Sequence, residues 1–484
     1  MKKKMMQFML CFGLVLMSAC SSKEKEVNTI IWYVANDEVW IPHEQEPYTS
    51  IKDARIDAVN AYLKELKKPY QVDVHVYPVQ FDNLKNQQKA FEEVKKHDAH
   101  ADILDYQNYW HDAFICLDSY MDTPLGKQVR KEIPEHTYTA NLFQGKAYKV
   151  VSPKYPIQQS DILIEKKYYQ NHKQEIDAVC GDTMKLLAYW NTHYKQKDEY
   201  LLTDDFSSRI EDFMFEKYQK IPNTPFYVRR LDKKVINPYE EPAFLKLYNL
   251  LSEMSMKGYS GKHMDEGKRE DLISKDAILF KYHTSYKPKE MIMYAPQRMN
   301  DSYVELAGEL KIPYVTHGFG ILKDSKHKDE AFDLLASIQT DATLSNLLIY
   351  GDKPQMKDGK VEDGDLHATS DYFGTMGNNL LAYPSVNENA KKKELVFALD
   401  KEATMKQFVN TNVMLDDMLT KIDEFNKIIN EAHIFVYMDD YFDNYQLMST
   451  KEVMQRVDKL KKQLQDAGAA KVIAQLQQQL EHEG

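Results

Sequence analysis

Thr29-Ile30-Ile31-Trp32-Tyr33-Val34 is an unbroken run of β-branched, aliphatic and aromatic residues, which reads as a buried strand. Ile51 to Leu66 follows with apolar residues at helical spacing, and Val72-Asp73-Val74-His75-Val76-Tyr77 then alternates with period two. Phe81 to Lys96 is a charged amphipathic helix, and Ala101-Asp102-Ile103-Leu104 is a third short strand. Strand, helix, strand, helix, strand predicts a parallel sheet with crossover helices. Ligands of such sheets gather beyond the carboxyl ends of the strands. Here those ends run into Ala35-Asn36-Asp37 and Asp105-Tyr106-Gln107-Asn108-Tyr109-Trp110.

The rest of the chain is too long for this unit alone. Its 484 residues predict two lobes rather than one core. Aromatic residues make up 12%, mostly 32 tyrosines, which excludes a disordered chain and suits both a core and a wet binding surface. The net charge of −11 removes the usual electrostatic argument for nucleic-acid binding.

The first residues read as an export signal. Lys2, Lys3 and Lys4 precede the apolar run Met5 to Met17, which is too short to span a bilayer. Met17-Ser18-Ala19-Cys20 resembles a bacterial lipoprotein signal, with Met17 in place of the commoner leucine. The alternative is an ordinary signal peptide in which Cys20 is incidental. On the lipoprotein reading residues 1–19 are removed, Cys20 carries the lipid, and residues 20–27 are the lipidated Cys and tether. Three lysines leave with the leader, so the charge moves from −11 to −14. Cys116 and Cys180 remain, as two buried thiols or one long-range bridge, and are too few for a disulfide framework or a metal site.

Further along, Gly145 to Val151 reads as a strand, and Pro153 and Pro156 punctuate an extended crossing between lobes. Helices are expected over Met184–Tyr194, Ile210–Tyr218, Phe244–Lys257 and Asp329–Thr340. Asp276 to Tyr282 reads as a strand and second crossing. Asp358-Gly359 and Asp363-Gly364 mark turns, and the pattern from Glu394 is helical, ending in an amphipathic helix over Lys451–Leu480 broken near Gly468.

Several stretches together resemble the family-1 extracellular solute-binding proteins of ABC importers, the maltose-binding-protein-like type. The likeness is to a long lipoprotein subgroup with a C-terminal domain of unknown function. Gly320 to Ala331 is similar to its strand, turn and helix. Asp341-Ala342-Thr343-Leu344-Ser345-Asn346-Leu347-Leu348-Ile349-Tyr350-Gly351 resembles its D-x-x-L-x-N-L-L-x-Y-G stretch. Gly377-Asn378-Asn379-Leu380-Leu381-Ala382-Tyr383-Pro384 resembles G-N-Q-F-x-x-Y-P, and Ala467 to Leu480 resembles the terminal A-G-x-x-K-V-I-A-x-x-Q-x-Q-L. Two departures stand out: the loop after Tyr350-Gly351 is shortened to Asp352-Lys353-Pro354, and Asn379 replaces the usual glutamine.

The resemblance implies an α/β, two-lobed, periplasmic-binding-protein-like (type II) fold with hinge crossings and a helical C-terminal extension. Residues 28–152 with 278–345 form the expected N-terminal lobe. Residues 153–277 with 346–484 form the C-terminal lobe, with the extension over 394–484. It also implies a monomer on the outer face of the cell membrane, with a carbohydrate ligand and ABC transporter permease subunits as partners, and no cofactor.

Sugars need aromatic faces for their C–H patches and planar polar groups for their hydroxyls. The candidate contacts are Asn36, Asp37 and Trp40; Asp105, Tyr106, Gln107, Tyr109 and Trp110; Tyr155 and Gln158; and Tyr282, His283 and Tyr286. Trp110 is the leading candidate, with a core or interlobe position as its alternative. His97 and His100 have a ligand-like spacing without a third partner, so no metal is expected. Ser325-Lys326-His327-Lys328 fits Ser-x-x-Lys without its partner motifs, and no nucleophile elbow or phosphate loop is present. The competing classes are a surface glycan-degrading enzyme, a receptor for a non-sugar solute such as a peptide, and a structural or adhesive lipoprotein.

Overall fold

The computed structural model describes residues 27–37, 47–79, 84–153, 158–193, 214, 217–256, 281–285, 303–311, 317–362, 373–386, 388–402, 413–432, 434 and 449–482. The lipoprotein signal and Cys20 lie outside these residues, as do Trp40, Tyr155 and Tyr286.

The first sheet forms as its alternation predicts. Strand β1 (Asn28–Asp37) pairs in parallel with β2 (Tyr70–Val79), placing Ile30, Trp32 and Val34 beside Val72, Val74 and Val76. Helix α1 (Ala54–Glu65) links them; Asp53 caps it by accepting from the Arg55 amide at 2.8 Å, and Ile56, Val59 and Leu63 form its buried stripe. Helix α2 (Leu84–His97) then leads to β3 (Ile103–Asp105), which lies in parallel on the other side of β1. The chain continues through α3 (Pro124–Glu132) and α4 (Glu135–Ala140) to β4 (Val150–Val151).

Gly145 to Val151 is not one strand. Phe143 and Lys146 exchange amide–carbonyl bonds at 2.9 and 3.0 Å around Gln144 and Gly145, both with positive φ, so the chain turns there and only Val150–Val151 pairs.

Beyond β4 the chain enters a second sheet with β5 (Gln158–Glu165), followed by α5 (Lys166–Val179) and α6 (Thr183–His193). A meander of β6 (Tyr218–Lys220), β7 (Tyr227–Arg229) and β8 (Lys234–Ile236) precedes α7 (Pro242–Met256). Tyr218 thus begins a strand rather than ending a helix. Strands β9 (Lys281–Ser285) and β10 (Tyr303–Lys311) flank β5, both antiparallel to it. This sheet joins stretches expected in different lobes.

Strand β11 (Gly318–Ile321) re-enters the first sheet, giving the order β2-β1-β3-β11-β4. The outward and return passages are side by side: β4 pairs with β11 and the Ser152 amide donates to the His317 carbonyl at 2.9 Å.

Helices α8 (Lys328–Thr340) and α9 (Ala342–Tyr350) cover the first sheet, and Asp341 caps α9 by accepting from the Thr343 amide at 2.7 Å. The expected boundary at 345 falls inside α9, which packs on α1. After the small hairpin β12 (Met356–Lys357) and β13 (Lys360–Val361), with its turn at Asp358-Gly359, comes the short helix α10 (Phe373–Met376).

The remaining helices are α11 (Lys392–Glu402), α12 (Leu419–Ala432), α13 (Thr450–Asp466) and α14 (Ala469–His482). The break between the last two falls at Gly468, whose φ is 94°.

Two large cores result. One face of the first sheet, centred on Trp32 and Phe319, packs under α1, α8 and α9. Fully burying side chains of this size stabilises the fold by about 1.5–3 kcal/mol each. The other face, through Tyr33, Tyr77, Phe91 and Trp110, continues into the second core of Trp190, Phe226, Phe244, Phe425, Leu460 and Leu476.

Candidate functional site

β1 leads through α1 to β2 on one side, and the chain then crosses back to β3 on the other. The crevice beyond the carboxyl ends of β1 and β3 is therefore a topological switch point. Asp105 ends β3 there, buried, with Oδ2 accepting from the Ala35 amide at 2.6 Å. Burial pushes its carboxyl up to about 7, against the pull of its backbone donors. Asp105 thus staples the two strand ends that border the crevice.

Tyr106 is buried next to it; its amide donates to the Gly318 carbonyl at 3.0 Å and its ring lies 6.3 Å from the Tyr148 ring, nearly parallel. Gln107, half-buried, precedes the 3-10 turn Asn108–Ala113. That turn carries Trp110 back under α2, where it stacks on Phe91 at 4.6 Å and is only 6% exposed. In this arrangement Trp110 is a packed residue, the alternative weighed for it from sequence. Only the backbones of Tyr109, Asn36 and Asp37 are described; the latter two pair with Pro78 and Val79. Gln158 pairs with Lys311, Tyr282 with Ile162 and His283 with Asp161, again as backbone.

Three residues absent from the sequence candidates complete the cluster. His111 sits 4.1 Å from Tyr148, edge to face, and 4.4 Å from Phe143. Its imidazole is half-buried, and burial, helped by Lys323 and Lys146, holds it below the ordinary histidine range despite Asp112. Lys149 is buried with its Nζ 5.8 Å from the Tyr106 ring, and burial pushes its amine down to about 7. Its stem lies against Gly318, where a Cβ would meet the Lys149 Cδ at 2.7 Å, so glycine makes room for the lysine. No periodic signal marks His111 or Tyr148; the only trace is the polar-aromatic density of the stretch. Gln107, His111 and Tyr148, all half-buried, offer solvent a planar amide, an imidazole and an aromatic face. That set matches hydroxyl and C–H recognition.

Ser325, His327 and Asp102 have the residue types of a hydrolytic triad but not its wiring. The Ser325 hydroxyl donates to Asp102 Oδ1 at 2.6 Å, and His327 Nδ1 also faces Asp102, at 3.4 Å from Oδ2. The serine therefore has the carboxylate, not the imidazole, as its partner, which is not the serine–imidazole–carboxylate relay of a triad. The Ile31 amide donates to Asp102 Oδ2 at 3.0 Å, so this group fastens β1 to the turn before α8. It lies at the amino end of β3, opposite the crevice.

His97 stacks on Tyr48 at 4.4 Å, while the amide of His100 donates to Asp98. Among the described residues no group of three or more His, Cys, Asp or Glu side chains could hold a metal ion. Cys116 and Cys180 are both free, and Cys116 is exposed rather than buried. Among the described residues no helix is long and apolar enough to cross a membrane.

No protein-family model matches the chain, and no curated protein matches it. Its architecture is nonetheless the two-lobed, periplasmic-binding-protein-like α/β fold, the fold class expected from sequence. The N-glycan transport solute-binding protein NgtS of Streptococcus pneumoniae superimposes with a TM-score of 0.59 at 18% identity, over 94% of this chain and 99% of that one. The same protein in complex with Man1GlcNAc gives 0.56 at 16% identity, over 94% and 99% of the two chains. Its complex with Man5GlcNAc gives 0.54 at 17% identity, over 94% and 98%.

Proposed function

We propose that this protein is the substrate-binding component of an ABC importer, capturing an oligosaccharide between its two lobes and delivering it to permease subunits. The observation that carries this reading is the whole-length likeness to a receptor solved with mannose-containing glycans. The aromatic and amide rim of Gln107, His111 and Tyr148 at the switch point supports it. The remaining ligand contacts are assigned to Asn36, Asp37, Trp40, Tyr109, Tyr155, Gln158, Tyr282, His283 and Tyr286, with Asp105, Tyr106 and Trp110 supporting the rim from beneath.

In this proposal the first lobe holds β1–β4, β11 and α8–α10, and the second holds β5–β10 and the C-terminal helices. The protein is a monomer on the outer face of the membrane, held by lipid on Cys20. Mass spectrometry of the mature N-terminus tests the anchor; an unmodified N-terminus elsewhere than Cys20 refutes it.

Thermal shift and calorimetry against a panel of oligosaccharides and peptides test the cargo, since a ligand of the native state raises Tm by mass action. A high-mannose glycan should raise it. A response to peptides alone would leave the receptor and remove the sugar. The rival reading, a glycan-degrading enzyme, predicts new reducing ends on incubation with the same glycans; the wiring of Asp102, Ser325 and His327 argues against a hydrolytic triad there.

A further inference from the structure

Strand β2 is outermost in the first sheet, and an open strand edge is a template for unwanted pairing. The chain covers it with residues 48–51: the Tyr48 amide donates to the Val76 carbonyl at 2.9 Å, and the Ile51 amide to Val74 at 2.8 Å. Between these bonds Ser50 bridges His75 in antiparallel fashion. His75 points both ring nitrogens at acceptors: Nε2 lies 3.1 Å from Asp73 Oδ2, and Nδ1 lies 3.3 Å from the Tyr48 carbonyl oxygen. A neutral imidazole carries one N–H, so one of those oxygens then faces a lone pair; only the imidazolium donates to both.

We propose that His75 is a proton-dependent clamp, whose doubly protonated ring fastens the Tyr48–Ile51 segment over the edge of β2.

The surroundings favour the proton. Burial opposes the charge, but Asp73, the Tyr48 carbonyl and the more distant Asp98 outweigh it and raise the His75 pKa. Asp73 is kept ionised: burial works against it, while the His75 ring and the Ser50 hydroxyl lower its pKa. Tyr33 packs 4.8 Å from the His75 ring and sends its hydroxyl to the same Tyr48 carbonyl at 3.5 Å. His97 stacks on the Tyr48 ring of the same segment. Because the folded pKa is raised, the clamp is fully engaged below the ordinary histidine value of about 6.5 and is lost as pH rises through the folded value.

Hydrogen exchange at the Tyr48 and Ile51 amides, corrected for intrinsic rates from pH 6 to 9, tests the clamp. Protection should fall about three- to tenfold across the His75 titration, the effect of one lost hydrogen bond. His75→Gln should abolish that fall. Asp73→Asn removes the charge but keeps a carbonyl acceptor, and should lower the titration midpoint read from the imidazole resonances, carrying the loss of protection with it. Equal pH dependence in wild type and His75→Gln, or a His75 midpoint at or below about 6.5, would overturn the proposal.

Discussion

Ser152 and Gly377, 225 positions apart, are joined by a hydrogen bond: the Ser152 hydroxyl donates to the Gly377 carbonyl at 2.8 Å, in a buried setting. The Ser152 amide meanwhile holds the His317 carbonyl. One small residue thus ties the passage out of the first sheet to the passage back and to the Gly377–Asn378 turn. Ser152→Ala removes the donor and leaves a buried carbonyl short of a partner. The expected cost is about 1–3 kcal/mol, read as a lower urea midpoint at unchanged slope. A change under about 0.3 kcal/mol would mean the bond contributes nothing net.

Gly377 itself admits no side chain. A Cβ there would meet Ile349 Cδ1 and Cγ1 at 2.8 Å and the Ser345 carbonyl oxygen at 3.2 Å. Gly377→Ala should destabilise by about 1–3 kcal/mol, the usual cost of overpacking. Ile349→Val removes the Cδ1, so the double variant should recover part of the loss. Strict additivity in the double-mutant cycle would contradict the contact.

The buried pair of titrating groups near the crevice sets a pH profile. Asp105, raised to about 7, favours folding below its ordinary value of 3.8 and loses that favour as pH climbs to about 7. Lys149, lowered to about 7, does the reverse: its penalty is full below about 7 and is relieved as pH rises toward 10.5. Both are at their least favourable near neutrality. Lys149→Met should stabilise the protein at pH 7, on the order of 2 kcal/mol, and flatten the rise above it. Asp105→Asn should flatten the fall between pH 4 and 7. Chemical denaturation across pH measures both limbs.

The rim can be separated from its support. On the proposed function, Tyr148→Ala should weaken glycan affinity about tenfold or more while leaving Tm within a few degrees, because the ring is half-buried. Trp110→Phe keeps the stack on Phe91 and should leave affinity nearly unchanged. Calorimetry with one oligosaccharide decides it; the opposite ranking would restore Trp110 as the contact.

Strands β1 and β2 were legible because ten residues leave room for an apolar run or a period of two, and the short β3 by its apolar residues directly after a helix. The Asp341 to Gly351 and Gly377 to Pro384 stretches were legible as patterns, and the structure supplies their chemistry. Asn346 Oδ1 accepts from the Tyr383 amide at 2.8 Å, the Tyr350 hydroxyl donates to the Tyr383 carbonyl at 3.2 Å, and Asn378 donates to the Gln339 carbonyl at 2.9 Å. Asn379, the departure from the usual glutamine, donates to the Gly374 carbonyl at 2.8 Å. The β6–β8 meander escaped notice because strands of three residues carry no period. Trp110 looked like a cleft residue because a short 3-10 turn, invisible to periodicity, decides which way it faces. Tyr148 was hidden by the reading of Gly145 to Val151 as a continuous strand, which the turn at Gln144-Gly145 interrupts.

The last helix has a consequence for the order in which this chain folds. Gln477 Oε1 accepts from the Val235 amide at 2.7 Å, and Gln479 clasps Met414 with both ends of its amide, at 2.7 and 2.9 Å. Leu476 and Leu480 share one core with Trp190 and Phe226. A chain emerging N-terminus first therefore carries an unfinished second core until Leu476 and Leu480 are out. Ending it before Ala469 should leave the elements around that core protease-sensitive throughout, not merely trimmed.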